Sequence, residues 1–143
     1  MSELDQSALS LDDIRLSFEF FDSWEDKSRF VIDLGKDLPH MNEAAKTEEH
    51  LVRGCQSQVW LVARHEPETG VMRLTLDSDA HIVRGLIAIV LAAYDGRTPR
   101  EIVDFDIEGL FEELDLLKHL SATRGNGLRA MVNRIREVAA GHL

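Results

Sequence analysis

The chain has 143 residues, 44% of them hydrophobic and 29% charged, which is typical of one soluble globular domain. Its 16 basic and 26 acidic residues give a formal net charge of −10, and such an acidic surface repels phosphate backbones and anionic lipid headgroups. Nucleic acid and membrane surfaces are therefore poor partners, whereas a partner with a basic docking face is favoured.

The N-terminal residues and the cysteine content indicate the compartment. No basic segment followed by an apolar core is visible after Met1, so no signal peptide is predicted. The longest apolar stretch, residues 85–94, is too short to span a bilayer. A single cysteine cannot form an internal disulfide, which fits a reducing compartment. We expect a cytoplasmic protein.

Two helices are predicted near the N-terminus. Ser10 with Asp13, and Ser23 with Asp26, each form a capping pattern in front of an apolar stripe. The second helix is expected to end before Pro39, because proline disfavours a helical conformation in the residue that precedes it.

A hairpin is predicted after a polar connection. Residues 40–53 are weakly periodic and indicate a long surface loop. Residues 59–63 predict a strand that is apolar on both faces, residues 66–70 a turn, and residues 71–77 an alternating strand with one packed side. We expect about three strands in the sheet, the third coming from an earlier segment.

Helices return after the hairpin. Ser78 or Asp79 can cap a helix that Gly96 is placed to end. Thr98 and Glu101 form a capping box with proline at the first helical position, which predicts the start of a short helix.

The order of these elements indicates the fold class. A further helix is predicted around residues 109–118, and the last helix has a clean apolar stripe made of Leu128, Met131, Val132, Ile135, Val138 and Ala139. Helices before and after a small antiparallel sheet indicate an α+β domain. No linker or repeat divides the chain, so residues 1–143 are expected to form one domain.

The single cysteine lies where a loop meets a strand. Gly54 allows backbone angles that other residues avoid, while Arg53, Gln56 and Gln58 surround the Cys55 thiol with polar groups. A lone cysteine is commonly a small buried hydrophobe, but these neighbours fit that role poorly. A nearby arginine would instead increase the thiolate fraction, which is the reactive form.

Other chemistries of the thiol are less well supported. A closed zinc site needs four ligands, and the six histidines show no paired ligand spacing, so no metal site is predicted. A cysteine hydrolase remains open, although no local motif places a histidine or an oxyanion hole. No Cys-x-x-Cys pair suggests a disulfide oxidoreductase. A single thiol without a resolving partner is best suited to carrying a group.

Four blocks resemble a known family. Arg-Gly-Cys-Gln-Ser-Gln-Val-Trp at 53–60 resembles the signature of the SufE family, the sulfur-acceptor proteins of iron–sulfur cluster assembly. Residues 77–88, residues 98–106 and the pattern within residues 119–128 are similar to its other motifs, in the same order. The resemblance runs from about Phe21 to Ala139, and residues 1–20 carry no matched motif.

The resemblance implies a function. Family members accept sulfur from the persulfide of a pyridoxal-phosphate-dependent (PLP) cysteine desulfurase, which they also stimulate, and hold it on the cysteine that matches Cys55. They pass it to an iron–sulfur scaffold complex, and they need no cofactor of their own. The implied fold is that of IscU-type scaffolds, but a chain with one cysteine is not suited to holding a cluster. A monomer and a homodimer are both compatible with the sequence.

Several residues are candidate supports of this site. Arg124 matches an arginine of the family and is expected near the thiol or the partner, unless it is merely solvated. Asp79 caps a helix or restrains the cysteine loop, and Gln56 and Gln58 hold that loop by amide hydrogen bonds. His119 is expected to pack or to cap a helix. The alternatives to sulfur transfer are a non-catalytic adaptor of a desulfurase and a paralogue that serves another sulfur-transfer pathway.

Overall fold

The structure, a computed structural model, describes residues 10–143. Its helices and strands, in chain order, are α1 Leu11–Phe20, α2 Trp24–Asp37, β1 Val59–His65, β2 Met72–Ser78, α3 His81–Tyr94, α4 Pro99–Asp104, α5 Ile107–Glu113, α6 Leu116–His119 and α7 Ala122–Ala140. Two short 3₁₀ turns, Glu43–Ala45 and Glu48–His50, lie in the connection between α2 and β1. The α+β class is confirmed.

The predicted helix starts are present with their side-chain caps. Ser10 and Asp13 form a complete capping box at α1, and the Ser23 hydroxyl accepts a hydrogen bond from the Asp26 amide at α2. At α4 the same reciprocal box joins Thr98 to Glu101. Such caps satisfy amides that have no partner within the helix. Of the N-terminal segment that carried no motif, residues 1–9 lie outside the described residues, and the rest enters α1.

The sheet is smaller than expected. β1 and β2 pair antiparallel, with Val59 opposite Ser78 and His65 opposite Met72. Within residues 10–143, the position of a third strand is taken by one isolated β-bridge, between Leu51 and Trp60. The segment before this bridge forms the two 3₁₀ turns instead of a strand.

One expected helix is divided into two. The stretch predicted around residues 109–118 forms α5 and α6, separated by Asp115 in the left-handed conformation at φ 58°. Leu114 and Leu116 are both fully buried on either side of it. Residues two apart on a continuous helix point to different faces, so the break lets both leucines reach the core.

The core is centred on α3, which packs against α2 on one side and the sheet on the other. α2 and α3 cross in backbone contact at two glycines. A Cβ on Gly85 would lie 2.0 Å from the Val31 carbonyl oxygen, and one on Gly35 would lie 2.7 Å from the Gly85 nitrogen. Among residues 10–143, no helix is both long enough and apolar enough to cross a membrane.

A buried ion pair ties β2 to α3. Asp77 is fully buried and Arg84 is 5% exposed, and their side chains form a salt bridge. Burial raises the pKa of Asp77, but hydrogen bonds from the Met41 and Ser78 amides and the positive charges of Arg84 and Lys46 outweigh it and hold that pKa below its ordinary value. This pair fixes the end of β2 immediately before the residues that contact the cysteine loop.

Candidate active site around Cys55

Cys55 lies in the loop between the β-bridge and β1 and rests against the last helix. Its side chain is half-buried, and the thiol donates to the Gly127 carbonyl oxygen of α7 at a sulfur–oxygen distance of 3.5 Å. A Cβ built on Gly127 would lie 3.6 Å from Sγ, an ordinary contact distance, so the thiol lies directly against this part of α7. The thiol is therefore sheltered against the helix without being enclosed in the core.

A cavity of about 230 Å³ opens beside the thiol. Its lining consists of Cys55, Gln56, Ser57, Val59, Val83, Leu86, Ser121, Thr123, Arg124, Gly127, Leu128 and Met131. Apolar side chains from β1, α3 and α7 form its floor, and polar side chains from the start of α7 form its rim. A disulfide-type sulfur–sulfur bond is about 2.05 Å long. There is room here for a second sulfur atom on Cys55.

Burial controls the reactivity of the thiol in this conformation. It raises the pKa of Cys55 above its ordinary value. A cysteine in apolar surroundings is less ionised at neutral pH than a free one, and the thiolate is the nucleophile. The conformation described here therefore protects the sulfur, and attack on a donor needs the loop to open or a cation to approach.

Two contacts fix the base of the loop, and a glycine shapes its tip. The Val52 amide donates to the Val59 carbonyl oxygen at 2.8 Å. The Asp79 carboxylate accepts from the Gln58 amide at 3.1 Å, and the Asp79 amide returns a bond to the Gln58 carbonyl at 3.4 Å. Gly54 has φ +94°, which strains any residue with a side chain, so glycine is required next to Cys55.

Neither residue proposed to cap α3 does so. The N-cap of α3 is Ala80, without a side-chain cap bond. The Ser78 hydroxyl accepts from the Ala80 amide, and the Asp79 carboxylate is turned to the cysteine loop instead. The capping expectation is wrong because the loop competes for the same carboxylate, and the alternative contact of Asp79 with the loop is the one observed.

The other candidate residues divide between the site and its surroundings. Arg124 lies on the cavity rim, in the first turn of α7, and its amide donates to the Ser121 hydroxyl. Arg53 is exposed on the loop. His119 lies elsewhere, with its ring stacked on Trp24 at 4.6 Å between centroids.

The glutamines contact the site differently from one another. Gln56 lines the cavity, whereas Gln58 contributes its backbone amide to the loop anchor. Neither side-chain amide forms a hydrogen bond to another residue among residues 10–143, so the loop is supported by its backbone groups and the Asp79 carboxylate instead.

Among the residues of this site that the sequence reasoning missed, three lie at or near the start of α7. Gly127 receives the thiol, and Ser121 and Thr123 line the cavity. The signal that could have found them is the sequence from Ser121 to Gly127, where two glycines fall inside a helix in spite of their low helix propensity. Glycine inside a helix often marks a close approach by another group. In the described part of the chain, no group of three or more His, Cys, Asp or Glu side chains is placed to hold a metal ion.

Comparisons with known proteins give a consistent result. A family model described as "SufE: Fe-S metabolism associated domain" matches residues 12–139. An uncharacterised SufE-like protein of Rhizobium meliloti (strain 1021) is 49% identical over 136 residues, which cover 94% of this chain and 97% of that protein. Another, of Rhizobium etli, is 52% identical over 132 residues, covering 91% and 89%. The solution structure of a hypothetical protein from Thermus thermophilus has a TM-score of 0.73 at 19% identity, covering 92% of this chain and 94% of that one, which supports the fold alone.

Proposed function

The chain belongs to the SufE family, which is associated with iron–sulfur metabolism, and from this we propose that it is the sulfur acceptor of a cysteine desulfurase. Cys55 takes the sulfane sulfur from the persulfide of the desulfurase and holds it. It then passes the sulfur to an iron–sulfur scaffold complex. By removing the persulfide, the protein stimulates the desulfurase, and pyridoxal phosphate belongs to that partner rather than to this chain. Its single thiol suits a reducing cytoplasm.

The transfer step is an exchange at sulfur. The Cys55 thiolate attacks the outer sulfur of the donor persulfide, a new sulfur–sulfur bond forms on Sγ, and the donor sulfur–sulfur bond breaks. The donor cysteine leaves as a thiolate and regains a proton, so a thiol and a persulfide give a persulfide and a thiol. No external oxidant or reductant takes part.

The observation that supports this proposal most strongly is the cavity beside Cys55. A persulfide carrier must keep its outer sulfur away from other thiols, which would release it as sulfide. Here the half-buried thiol opens into a space with an apolar floor and a polar rim, and the chain has no other cysteine to attack the product. A hydrolase would need an activating base, but His119 is stacked on Trp24 and does not line the cavity.

The loop must move for transfer to occur. A donor sulfur has to reach Sγ, yet the observed thiol faces Gly127. The tip of the loop is connected to the rest of the fold by few bonds, at Val52 and Gln58. We expect the segment between these anchors to swing outward on the desulfurase and to return with the sulfur.

The test is sulfur loading measured by intact mass. The protein is incubated with a cysteine desulfurase and cysteine, and one or more sulfur atoms are expected on Cys55. Cys55→Ser should fold normally, remain unmodified and fail to stimulate the desulfurase. If the serine variant stimulated fully, the adaptor alternative would be correct, and the proposal would be wrong.

A further inference from the structure

The two segments that meet at the thiol are basic, although the protein as a whole is acidic. Residues 50–65 contain two arginines, residues 116–136 contain four arginines and one lysine, and neither segment contains Asp or Glu. The rest of the chain holds the other nine basic residues and all 26 acidic ones. These two segments are the ones that meet where Cys55 contacts Gly127. The fold thus brings two segments without acidic residues together at the thiol.

Most of the basic side chains in these segments already have acidic partners. Within residues 116–136, Arg129 pairs with Glu108 and Arg134 with Glu137. Arg53 and Arg124 differ. They are the two arginines among residues 10–143 whose guanidinium groups have no ion pair, hydrogen bond, aromatic contact or other electrostatic interaction within the described part of the chain. Both are exposed.

The two arginines lie in the two segments that meet at the thiol. Arg53 is two residues before Cys55 on the loop, and Arg124 lies on the rim of the cavity that the thiol enters. Among residues 10–143, no carboxylate lines that cavity. The Asp79 carboxylate, which contacts the loop, accepts from the Gln58 amide. In a chain with ten more acidic than basic residues, two arginines without carboxylate partners beside the reactive group indicate that their partners are on another molecule.

We propose that Arg53 and Arg124 dock onto a carboxylate-bearing rim around the donor persulfide of the desulfurase. This inference rests on the proposed function and names the chemistry of the partner surface. The net charge predicted a partner with a basic docking face. This inference predicts an acidic one instead, because the segments around the thiol are basic although the protein is acidic. Charges on the rim of an interface mainly set the association rate and its salt dependence. The acidic remainder of the surface would disfavour docking in other orientations.

The experiment measures sulfur transfer at different acceptor concentrations and salt concentrations. A persulfidated desulfurase that loads wild-type Cys55 is mixed with acceptor, and the added sulfur is followed by intact mass. For Arg53→Glu and Arg124→Glu, the half-saturating acceptor concentration is expected to rise on the order of tenfold at low salt. The difference should shrink at about 0.5 M NaCl, where charges are screened over a few ångströms.

Two controls separate location from total charge and from chemistry. Arg29→Glu and Arg100→Glu change the net charge by the same amount at exposed sites away from the thiol, and they should transfer normally. Glutathione persulfide serves as a small donor without a docking surface. For Arg53→Glu, the ratio of the desulfurase rate to the small-donor rate should fall about tenfold.

The possible results distinguish failure of the docking inference from failure of the proposed function. If wild-type transfer is independent of salt, or if Arg29→Glu and Arg100→Glu are impaired as much as the loop variants, the docking inference is wrong. A second contrary result combines two measurements on Arg53→Glu. If the pH profile of Cys55 alkylation by neutral iodoacetamide shifts, while sulfur transfer keeps the wild-type salt dependence, the arginine acts on the thiol and the docking inference is wrong. If no desulfurase loads wild-type Cys55, the proposed function fails and this inference fails with it.

Discussion

The contact between Asp79 and the cysteine loop gives the sharpest prediction about how the thiol becomes accessible. The Asp79 carboxylate accepts from the Gln58 amide at 3.1 Å, three residues after Cys55. Asp79→Ala removes this acceptor and leaves only the longer backbone bond of 3.4 Å at the same position. The loop should therefore open more often, while the core, which Asp79 does not enter, stays intact.

The magnitude follows from the value of one exposed hydrogen bond. Such a bond contributes about 1 kcal/mol net, which corresponds to about a fivefold change in the open population. If iodoacetamide reacts only with the open loop and opening is fast, the alkylation rate follows that population. We expect Cys55 in Asp79→Ala to be alkylated about fivefold faster than in the wild type at pH 7.

A graded series and a matched control make the result specific. Asp79→Asn keeps an oxygen acceptor but loses its charge, so its rate should lie between those of the wild type and Asp79→Ala. Asp106 makes a comparable exposed bond to the Gly109 amide at the start of α5, and Asp106→Ala should leave alkylation of Cys55 unchanged. Equal alkylation rates for Asp79→Ala and the wild type would refute the reasoning that this carboxylate holds the loop.

Three further predictions concern the scaffold and the thiol. Gly85→Ala places a Cβ 2.0 Å from the Val31 carbonyl oxygen, so the α2–α3 crossing must separate and thermal unfolding should show a large loss of stability, about 3 kcal/mol or more. Asp77→Asn leaves Arg84 buried without its counter-charge, which should cost about 3–5 kcal/mol in urea unfolding at pH 7. Because the folded-state pKa of Asp77 is lowered, its stabilisation is present above the unfolded-state value of about 3.9 and is lost as pH falls through the folded-state value, so the variant should also be less sensitive to acid in this range. Since burial raises the pKa of Cys55, its alkylation rate should still be rising at pH values where a free cysteine has reached its plateau.

Each of these three has a clear contrary result. Gly125→Ala is the control for the helix crossing, because its Cβ would lie 3.6 Å from Leu117, an ordinary contact, and it should be close to neutral. Equal stability of the two alanine variants would contradict the close crossing. An Asp77→Asn variant as stable as the wild type at pH 7 would show that the buried pair is not needed. An alkylation profile that matches free cysteine would show that the thiol is not sheltered.

Local patterns in the sequence were enough to predict much of the fold. The caps at Ser10, Ser23 and Thr98 bind amides three residues away, so they can be read without tertiary structure. The failures all depend on distant contacts. The helix break at Asp115 depends on how Leu114 and Leu116 pack in the core. Asp79 does not cap α3 because its carboxylate accepts a hydrogen bond from Gln58, 21 residues earlier in the chain.

In the candidate site, too, local features could be predicted from the sequence and distant contacts could not. Cys55 and Gly54 could be found from the sequence, because a lone thiol after a glycine is visible in the chain itself. The glycines inside the last helix are also visible, but the contact of Gly127 with the thiol is not, since the two residues lie 72 positions apart. The basic face around the thiol was hidden for a related reason. Net charge adds all residues together, and only the fold shows that segments free of Asp and Glu meet at one place.

The most direct test of the account is the mass of the protein after reaction with a desulfurase and cysteine, followed by peptide mapping. The account predicts additions of about 32 Da, one sulfur atom each, located on the peptide that contains Cys55 and removed by a reductant. The Cys55→Ser variant should show no addition. An unmodified wild-type protein that nevertheless stimulates the desulfurase would contradict the claim that Cys55 carries sulfur.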